Sequence, residues 1–319
     1  MTPVDVVVVA YNSRDRLREA VEPLADAPGV SVVVVDNACP EQSFEVVEDL
    51  AAVRIVHTPV NGGFSYGCNV GWRSGTAPYV LFLNPDATIE PSALARLAAV
   101  LDDDPGAGIV GPRTLSEDGS VDFTIRRYPS LVSTYAQALF LHRVAPRAAW
   151  VDEVVRDEAA YTLRATVDWL SGSCLLVRRS ALARIGGLAE DFFFYSEDID
   201  LCHRVDRDAG LAVVFTPDAT CVHAGGTSKP RAQLLPMLAA SRLRYARRHR
   251  GRVAAVAERV GIGLGEALRS VVGGGGASFR RGHRAALLVT LRGDDGYLPP
   301  HARAASAQPS PAGSPPATD

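Results

Sequence analysis

Residues 4–10 (Val-Asp-Val-Val-Val-Val-Ala) form an almost unbroken β-branched run, the pattern of a strand covered on both faces. Ser13 follows as a candidate helix cap. Leu17, Ala20, Val21 and Leu24 then fall at i, i+3, i+4 and i+7, one apolar face of a helix. Val32–Val35 repeats the buried-strand pattern and ends on Asp36. The spacing next predicts a polar helix over 41–50, a short strand at Val53–His57 and a strand at Tyr79–Leu83. Pro91 opens a helix with Leu94, Leu97, Ala98 and Leu101 on one side. Strands alternating with helices predict an α/β chain with a doubly wound, mostly parallel central sheet flanked by helices.

Such sheets bind ligands beyond the carboxyl ends of their strands, so the strand ends carry the interest. The first ends in Ala10-Tyr11-Asn12, the second in Asp36-Asn37 and the fourth in Asn84-Pro85-Asp86. A dinucleotide-binding dehydrogenase needs glycines in the first strand–helix turn so that pyrophosphate can approach the backbone. Residues 10–13 contain none, which excludes that reading. Glycines come later, in Asn61-Gly62-Gly63-Phe64, with Gly67 and Asn69 beyond. This stretch is neither a dinucleotide fingerprint nor a Walker loop, and by itself fits a ligand contact or a plain turn.

Composition narrows the class. At 47% hydrophobic and 22% charged, the 319 residues suit a folded globular chain rather than a disordered one. No run approaches the roughly 18 apolar residues needed to span a bilayer. Residues 1–5 lack the basic start of a signal peptide, and the five cysteines show no CxxC spacing. Both features predict a cytoplasmic protein with neither a disulfide framework nor structural zinc.

Six ordered blocks carry a resemblance. They are Val-Val-Ala-Tyr-Asn (8–12), Val-Val-Asp-Asn (34–37), Asn-Gly-Gly-Phe (61–64), Leu-Phe-Leu-Asn-Pro-Asp (81–86), Trp-Leu-Ser-Gly-Ser-Cys (169–174) and Phe-Phe-Phe-Tyr-Ser-Glu-Asp-Ile-Asp-Leu (192–201). From about residue 4 to about 228 the chain resembles the inverting, family 2 glycosyltransferases of the GT-A superfamily. Within that family the motifs are most similar to bacterial rhamnosyltransferases of cell-wall and surface polysaccharide synthesis. The resemblance implies a GT-A fold, a nucleotide-diphosphate sugar donor with dTDP-L-rhamnose the best guess, and a glycan or lipid-linked acceptor. Transferases for another sugar or a small-molecule acceptor, and a non-catalytic nucleotide-sugar-binding protein, stay open as alternatives.

Roles follow from the same resemblance. The nucleotide sugar would meet Ala10, Tyr11, Asn12, Asp36, Asn61, Gly63, Asn69, Asn84 and Asp86. Asp86 would bind a divalent metal, Mg²⁺ or Mn²⁺, which oxygen ligands suit. Asn84 departs from the usual motif by standing where a first carboxylate is expected. His223, at the end of a strand-like stretch, would join the metal or diphosphate shell, with Gly225 and Gly226 hinging a lid. Asp198 would be the general base and Glu197 its supporting hydrogen-bond partner, both at a helix start whose dipole favours the ionised form. Trp169, Ser171 and Gly172 would floor the acceptor site. Arg126 and Arg127 either meet an acceptor diphosphate or lie solvated on a loop.

Charge divides the chain. Residues 229–319 carry 15 basic and 5 acidic residues, leaving 18 and 31 in residues 1–228. Arg242, Arg244, Arg247, Arg248, Arg250 and Arg252 suggest either a solvated helix face or a patch drawn to anionic lipid at the inner face of the cell membrane. Residues 234–249 read as a helix, and 253–272 as another interrupted by Gly261, Gly263 and Gly265. Gly273–Gly276 reads as a flexible break. Residues 283–291 form a short apolar run between Arg280, Arg281, Arg284 and Arg292, suited to lying on a membrane. The expected organisation is a catalytic domain at 1–228, a basic helical region at 229–298 and a disordered Pro/Ala/Ser-rich tail at 299–319. A homodimer is compatible with this reading. Nucleic acid is not an expected partner, because the basic region lacks interleaved aromatics and the rest is acidic.

Overall fold

β1 (Val4–Ala10) is buried at every position, as its unbroken β-branched run predicts. The computed structural model describes residues 1–145, 148–225, 232–272, 276–293 and 295–298. In chain order β1 is followed by α1 (Arg14–Ala25), β2 (Val30–Asp36), β3 (Val53–His57), α2 (Phe64–Arg73) and β4 (Tyr79–Leu83). Next come β5 (Ala87–Ile89), α3 (Pro91–Asp103), β6 (Ala107–Leu115), β7 (Ile125–Arg126), α4 (Leu131–Ala138) and α5 (Leu141–Val144). The remaining elements are β8 (Ala165–Val167), β9 (Trp169–Leu170), β10 (Cys174–Arg178), α6 (Arg179–Ile185), α7 (Glu197–Arg207), β11 (Ala212–His223), α8 (Leu235–His249), α9 (Arg252–Val272) and α10 (Gly276–Arg292).

The main sheet runs β3-β2-β1-β4-β10-β6-β11-β5, with β8 also paired to β11. β1 is parallel to β2 and β4, and β6 is parallel to β11, whereas β10 lies antiparallel between β4 and β6. Side chains alternate across it. Val4, Val6 and Val8 join the core under α1 and α3, while Val7 and Val9 join the core under α2, α6 and α7. Register places the chemistry at one edge: Ala10 pairs with Asp36, and Val8 with Leu83, so Tyr11, Asn37 and Asn84 leave the sheet side by side.

Three local expectations change. The polar helix expected over 41–50 is a single 3₁₀ turn, Ser43–Val47, entered through Gln42 at φ 47°. Ser13 sits at the start of α1, but its hydroxyl makes no capping bond; its carbonyl instead accepts from the Arg16 and Leu17 N–H groups. α9 runs unbroken through Gly261, Gly263 and Gly265, because these glycines admit neighbours rather than end the helix. A Cβ at Gly261 would lie 2.8 Å from Thr134 of α4, and one at Gly265 would lie 3.3 Å from the Ala138 backbone. Of the break at Gly273–Gly276, residue 276 starts α10 and the rest lies outside the described residues, as does the tail from 299.

The arginine cluster of α8 is not a free basic patch. Arg242 faces Glu153 and Glu258, Arg244 and Arg248 face Asp191, Arg247 meets Asp295 and Arg250 meets Glu258. Cations already matched by the protein's own carboxylates offer little to a lipid headgroup; of the six arginines at 242–252 five are engaged within the protein, and Arg252 is exposed. Arg248 and His249 also reach Asp200 of α7, whose carboxylate is fully buried and paired with Arg204. That buried junction fastens the C-terminal helices onto α7. Burial would raise Asp200, but His249, Arg204 and Arg248 outweigh it and hold the carboxyl below its ordinary value.

Close packing of α2 on the sheet gives a stability test. A Cβ at Gly71 would stand 2.2 Å from Val7 Cγ1 and 3.2 Å from Val35 Cγ2. Gly71→Ala is therefore expected to cost about 1–3 kcal/mol through overpacking, read as a lower urea midpoint at unchanged slope.

Candidate active site

Beyond the carboxyl ends of the sheet lies a cavity of about 440 Å³. Its walls include Asn84 after β4, Trp169 and Ser171–Ser173 around β9 and β10, Glu197 and Asp198 at the start of α7, and His223 at the end of β11. Four of the six sequence blocks thus meet here, since Phe64 of the glycine stretch also lines it. Phe64 N–H donates to the Phe193 carbonyl (2.8 Å), which ties that stretch to the aromatic run before α7. Gly63 permits the approach: its φ is 90°, and a Cβ there would lie 2.4 Å from the same carbonyl oxygen.

Backbone conformation aims the two acids. Tyr195 and Ser196 take φ values of 71° and 65°, a left-handed pair of non-glycine residues immediately before Glu197. Such conformations cost energy and persist where packing over-determines them. Beyond this turn, Asp198 Oδ2 accepts from Gly172 N–H (3.1 Å) and Oδ1 from Ile199 N–H (2.8 Å). A Cβ at Gly172 would touch Asp198 Cβ at 3.2 Å, so the absence of a side chain lets the strand-edge backbone reach the carboxylate.

The pair divides its protonation by environment. Burial, with the adjacent Asp198 charge, pushes Glu197 up to about 8, and its buried Oε2 has no hydrogen-bond partner. Burial also raises Asp198, against the pull of Ile199 N–H, Arg126 and Gly172 N–H. Burial therefore opposes the helix-start effect expected to keep both groups ionised. With two backbone donors Asp198 is favoured over Glu197 for the negative charge, while Glu197 holds a proton near neutrality.

Also lining the cavity, His223 lies between two carboxylates. Its Nε2 is 3.3 Å from Asp86 Oδ1 and its Nδ1 is 3.5 Å from Asp122 Oδ2. Burial would lower His223, but Asp122 and Asp86 outweigh it and hold the imidazole up at about 9. Asp86 itself faces a small adjoining pocket with Arg16, Glu19 and Glu117. Asn84 N–H donates to the Ser173 carbonyl (2.9 Å), so the 84–86 turn, residues 171–173 and Asp198 form one chain of backbone contacts.

Once the imidazole gives up its proton, donor atoms 3.3 Å apart on Asp86 and His223 match two ligands of one divalent ion, which sit roughly 3 Å apart when each is about 2.1 Å from it. Among the described residues no group of three such side chains converges to hold a metal. The donor set fits an ion that takes its other ligands from a bound diphosphate, as Mg²⁺ commonly does.

Other predicted residues separate. Asp36 is buried; Oδ1 accepts from Cys39 N–H (3.0 Å) and Oδ2 lies 2.9 Å from His57 Nδ1. Beside it Asn37 Nδ2 donates to Asn61 Oδ1 (3.1 Å) and the Gly63 carbonyl (3.0 Å), and Asn37 N–H donates to the Ala10 carbonyl; this cluster, with Tyr11 and Asn12 next in the chain, does not line the cavity. Asn69 corrects an expectation. It is a buried residue of α2, whose Nδ2 donates to the Leu188 carbonyl and Glu190, and whose Oδ1 accepts from Leu188 N–H and Trp72 Nε1. With both amide ends engaged, it clamps α2 to residues 187–190 and has no group to offer a ribose. Arg127 supplies its carbonyl to Trp169 Nε1, whereas the Arg126 guanidinium lies 5.6 Å from the Trp169 ring centre and lines the cavity. Gly225 is left-handed (φ 63°), and the lid expected from Gly226 onward falls outside the described residues.

Sequence reasoning missed a whole wall. Leu238, Arg242 and Tyr245 of α8 and Glu258 of α9 line the cavity, together with Asp122, Pro129 and Glu153. Asp122 and Glu153 stand in loops without a motif, and the α8 and α9 residues look like ordinary helix-face positions. Only the Asp-Ile-Asp spacing at 198–200 hinted that α7 has a second, anchoring acid.

The comparisons agree with this architecture. The sequence model described as Glycosyl transferase family 2 matches residues 5–186. An N-acetylglucosaminyl-diphospho-decaprenol L-rhamnosyltransferase of Mycobacterium tuberculosis is 34% identical over 232 residues, covering 68% of this chain and 75% of that one. Rhamnosyltransferase WbbL of Escherichia coli is 25% identical over 232 residues, 69% of this chain and 83% of that one. A solved mannosyltransferase of Pyrobaculum calidifontis, in complex with GDP-Man and Mn²⁺, superposes with a TM-score of 0.54 at 17% identity, covering 92% of this chain and 85% of that one, a likeness of fold. A strand-edge cavity with an acid pair at a helix start, in a chain so matched, identifies the protein as a glycosyltransferase that belongs to family 2.

Proposed function

We propose that the protein transfers a hexose, best read as L-rhamnose from dTDP-L-rhamnose, to a hydroxyl of a lipid-linked or polysaccharide glycan, with inversion at the anomeric carbon. One observation carries the mechanism: Asp198, fixed by the Gly172 N–H, lines the same cavity as His223, whose imidazole contacts Asp86. The names of the two curated relatives support rhamnose as the sugar, and that of the mycobacterial one supports a diphospho-lipid acceptor.

The chain's own groups divide the work. The cluster of Ala10, Tyr11, Asn12, Asp36, Asn61 and Gly63 receives the nucleoside, and Asn84 orients the donor beside Asp86. Asp86 and His223 would hold a divalent cation, which neutralises charge developing on a departing diphosphate. Trp169 offers its ring, and Ser171 and Gly172 their backbone, to the acceptor. Asp198 accepts the acceptor proton as that oxygen bonds to the anomeric carbon and the nucleoside diphosphate leaves from the opposite face. Glu197, holding its proton, keeps a second charge out of the site. Residues 1–228 make up the catalytic unit, and α8 and α9 complete its acceptor wall.

Four outcomes follow. Asp198→Asn is expected to lower kcat by about 10²–10⁴-fold while calorimetry still detects nucleotide-sugar binding; near-normal turnover would place the base elsewhere. Glu197→Gln, an isostere of the protonated acid, is expected to retain most of the rate. In a pH profile the rate should climb with pH as Asp198 sheds its proton, through an apparent value above the ordinary carboxylate range of about 4. His223→Ala is expected to raise the Mn²⁺ concentration giving half-maximal rate by about 10–100-fold, and an unchanged requirement contradicts its role.

A further inference from the structure

α9 has two faces of opposite use. Glu258 is buried and lines the cavity, whereas Val256 and Val260, two positions to either side, are 61% and 57% exposed. The exposed positions continue along the helix as Val253, Val256, Val260, Leu264 and Val271, spaced by three, four, four and seven residues, a single outward stripe. Val253 and Val271 are 85% and 73% exposed. Leaving five aliphatic side chains in water along one helix face is not what a packed surface does by chance.

α10 extends the face. It packs on α9 through His283 to Glu266 and through Thr290, whose carbonyl accepts from Arg259 Nε. Its outer side therefore lies next to the α9 stripe and carries Leu288 and Leu291, 52% and 62% exposed, among the exposed Arg280, Arg281, Arg284 and Arg292. Glu258 and Glu266 are the acids of these two helices, and both turn inward, to Arg242 and Arg250 and to His283. The outer layer is thus aliphatic and cationic, with no exposed carboxylate on either helix. No helix among the described residues is long and apolar enough to cross a membrane.

We propose that the α9–α10 face docks on the surface of an anionic lipid bilayer, the valine–leucine stripe entering the headgroup–acyl boundary and the α10 arginines pairing with lipid phosphates. Charge selects this occupant. A water-soluble partner would be matched by aliphatic area alone, whereas a one-signed rim around an aliphatic stripe is complementary to anionic headgroups over acyl chains. The proposal does not depend on the transferase reading, since it uses the face of α9 turned away from the cavity. If both hold, the cavity wall at Glu258 stands about one helix diameter, roughly 10 Å, from the lipid.

The test is co-sedimentation of the full chain with vesicles of phosphatidylglycerol and phosphatidylcholine, and of phosphatidylcholine alone. The expected result is binding to the anionic vesicles, weakened by salt and absent from the neutral ones. Val256→Glu/Val260→Glu should weaken binding by at least tenfold through loss of the inserted stripe. Arg280→Gln/Arg281→Gln/Arg284→Gln should weaken it by roughly a hundredfold, from three cations removed. Both variants should keep the circular dichroism spectrum and the metal-dependent hydrolysis of the sugar nucleotide, so that a failure here is distinct from a failure of the catalytic reading. Binding that is equal for wild type and variants overturns the proposal. So does a concentration-dependent dimer, seen by sedimentation velocity, that Val256→Glu/Val260→Glu dissociates, because a second copy would then own the face.

Discussion

A single backbone donor sets the geometry of this site. Gly172 N–H, at the start of the turn into β10, reaches Asp198 at the first turn of α7. β10 is hydrogen-bonded to β4 along its whole length, and two peptide groups on from the Gly172 N–H, the Ser173 carbonyl holds Asn84 N–H. Asp198 and the 84–86 turn are consequently referenced to one edge of one sheet, not to two loops that move independently. Positional precision of that kind converts a displacement reaction between two bound sugars into an effectively intramolecular event. It also explains why small residues gather here: a side chain at 63 or 172 would push apart the segments that must meet.

Electrostatics add a division of labour that geometry alone does not provide. Two adjacent acids enter a dry wall, yet only one has backbone donors for both of its oxygens. The other absorbs the burial penalty by holding its proton. Two residues on, Asp200 is deeper still but surrounded by Arg204, Arg248 and His249, so it stays charged and anchors α8. One motif therefore yields the proposed base, a neutral neighbour and a structural anion, each set by what surrounds it.

Much of this was legible in the chain. Strands β1 to β4 and helices α1 and α3 follow from periodicity, because each carries a continuous or one-sided apolar set, fully buried except in β3. The strand-end polar clusters then place Asp36 and the 84–86 turn at the ligand edge by topology. The 3₁₀ turn at 43–47 was misread because alternating polar residues carry no face for a helix to bury. Asn69 looked like a ligand group because an amide beside glycines gives no hint of partners at Leu188 and Glu190, more than a hundred positions away. The α8 arginines were illegible for the same reason: a cluster of cations reads as solvated until its carboxylates arrive from distant loops. The α9 glycines read as breaks, since only the packed α4 helix shows why a side chain cannot be there.

The proposed convergence of Asp86 and His223 on one ion facing Asp198 is tested most directly by crystals grown with Mn²⁺ and a nucleoside diphosphate, measured at a wavelength where manganese scatters anomalously. The account predicts one strong peak bonded to Asp86 and His223, with diphosphate oxygens completing its shell on the side that faces Asp198. A peak bonded to neither residue, or a diphosphate bound away from the cavity, would contradict it.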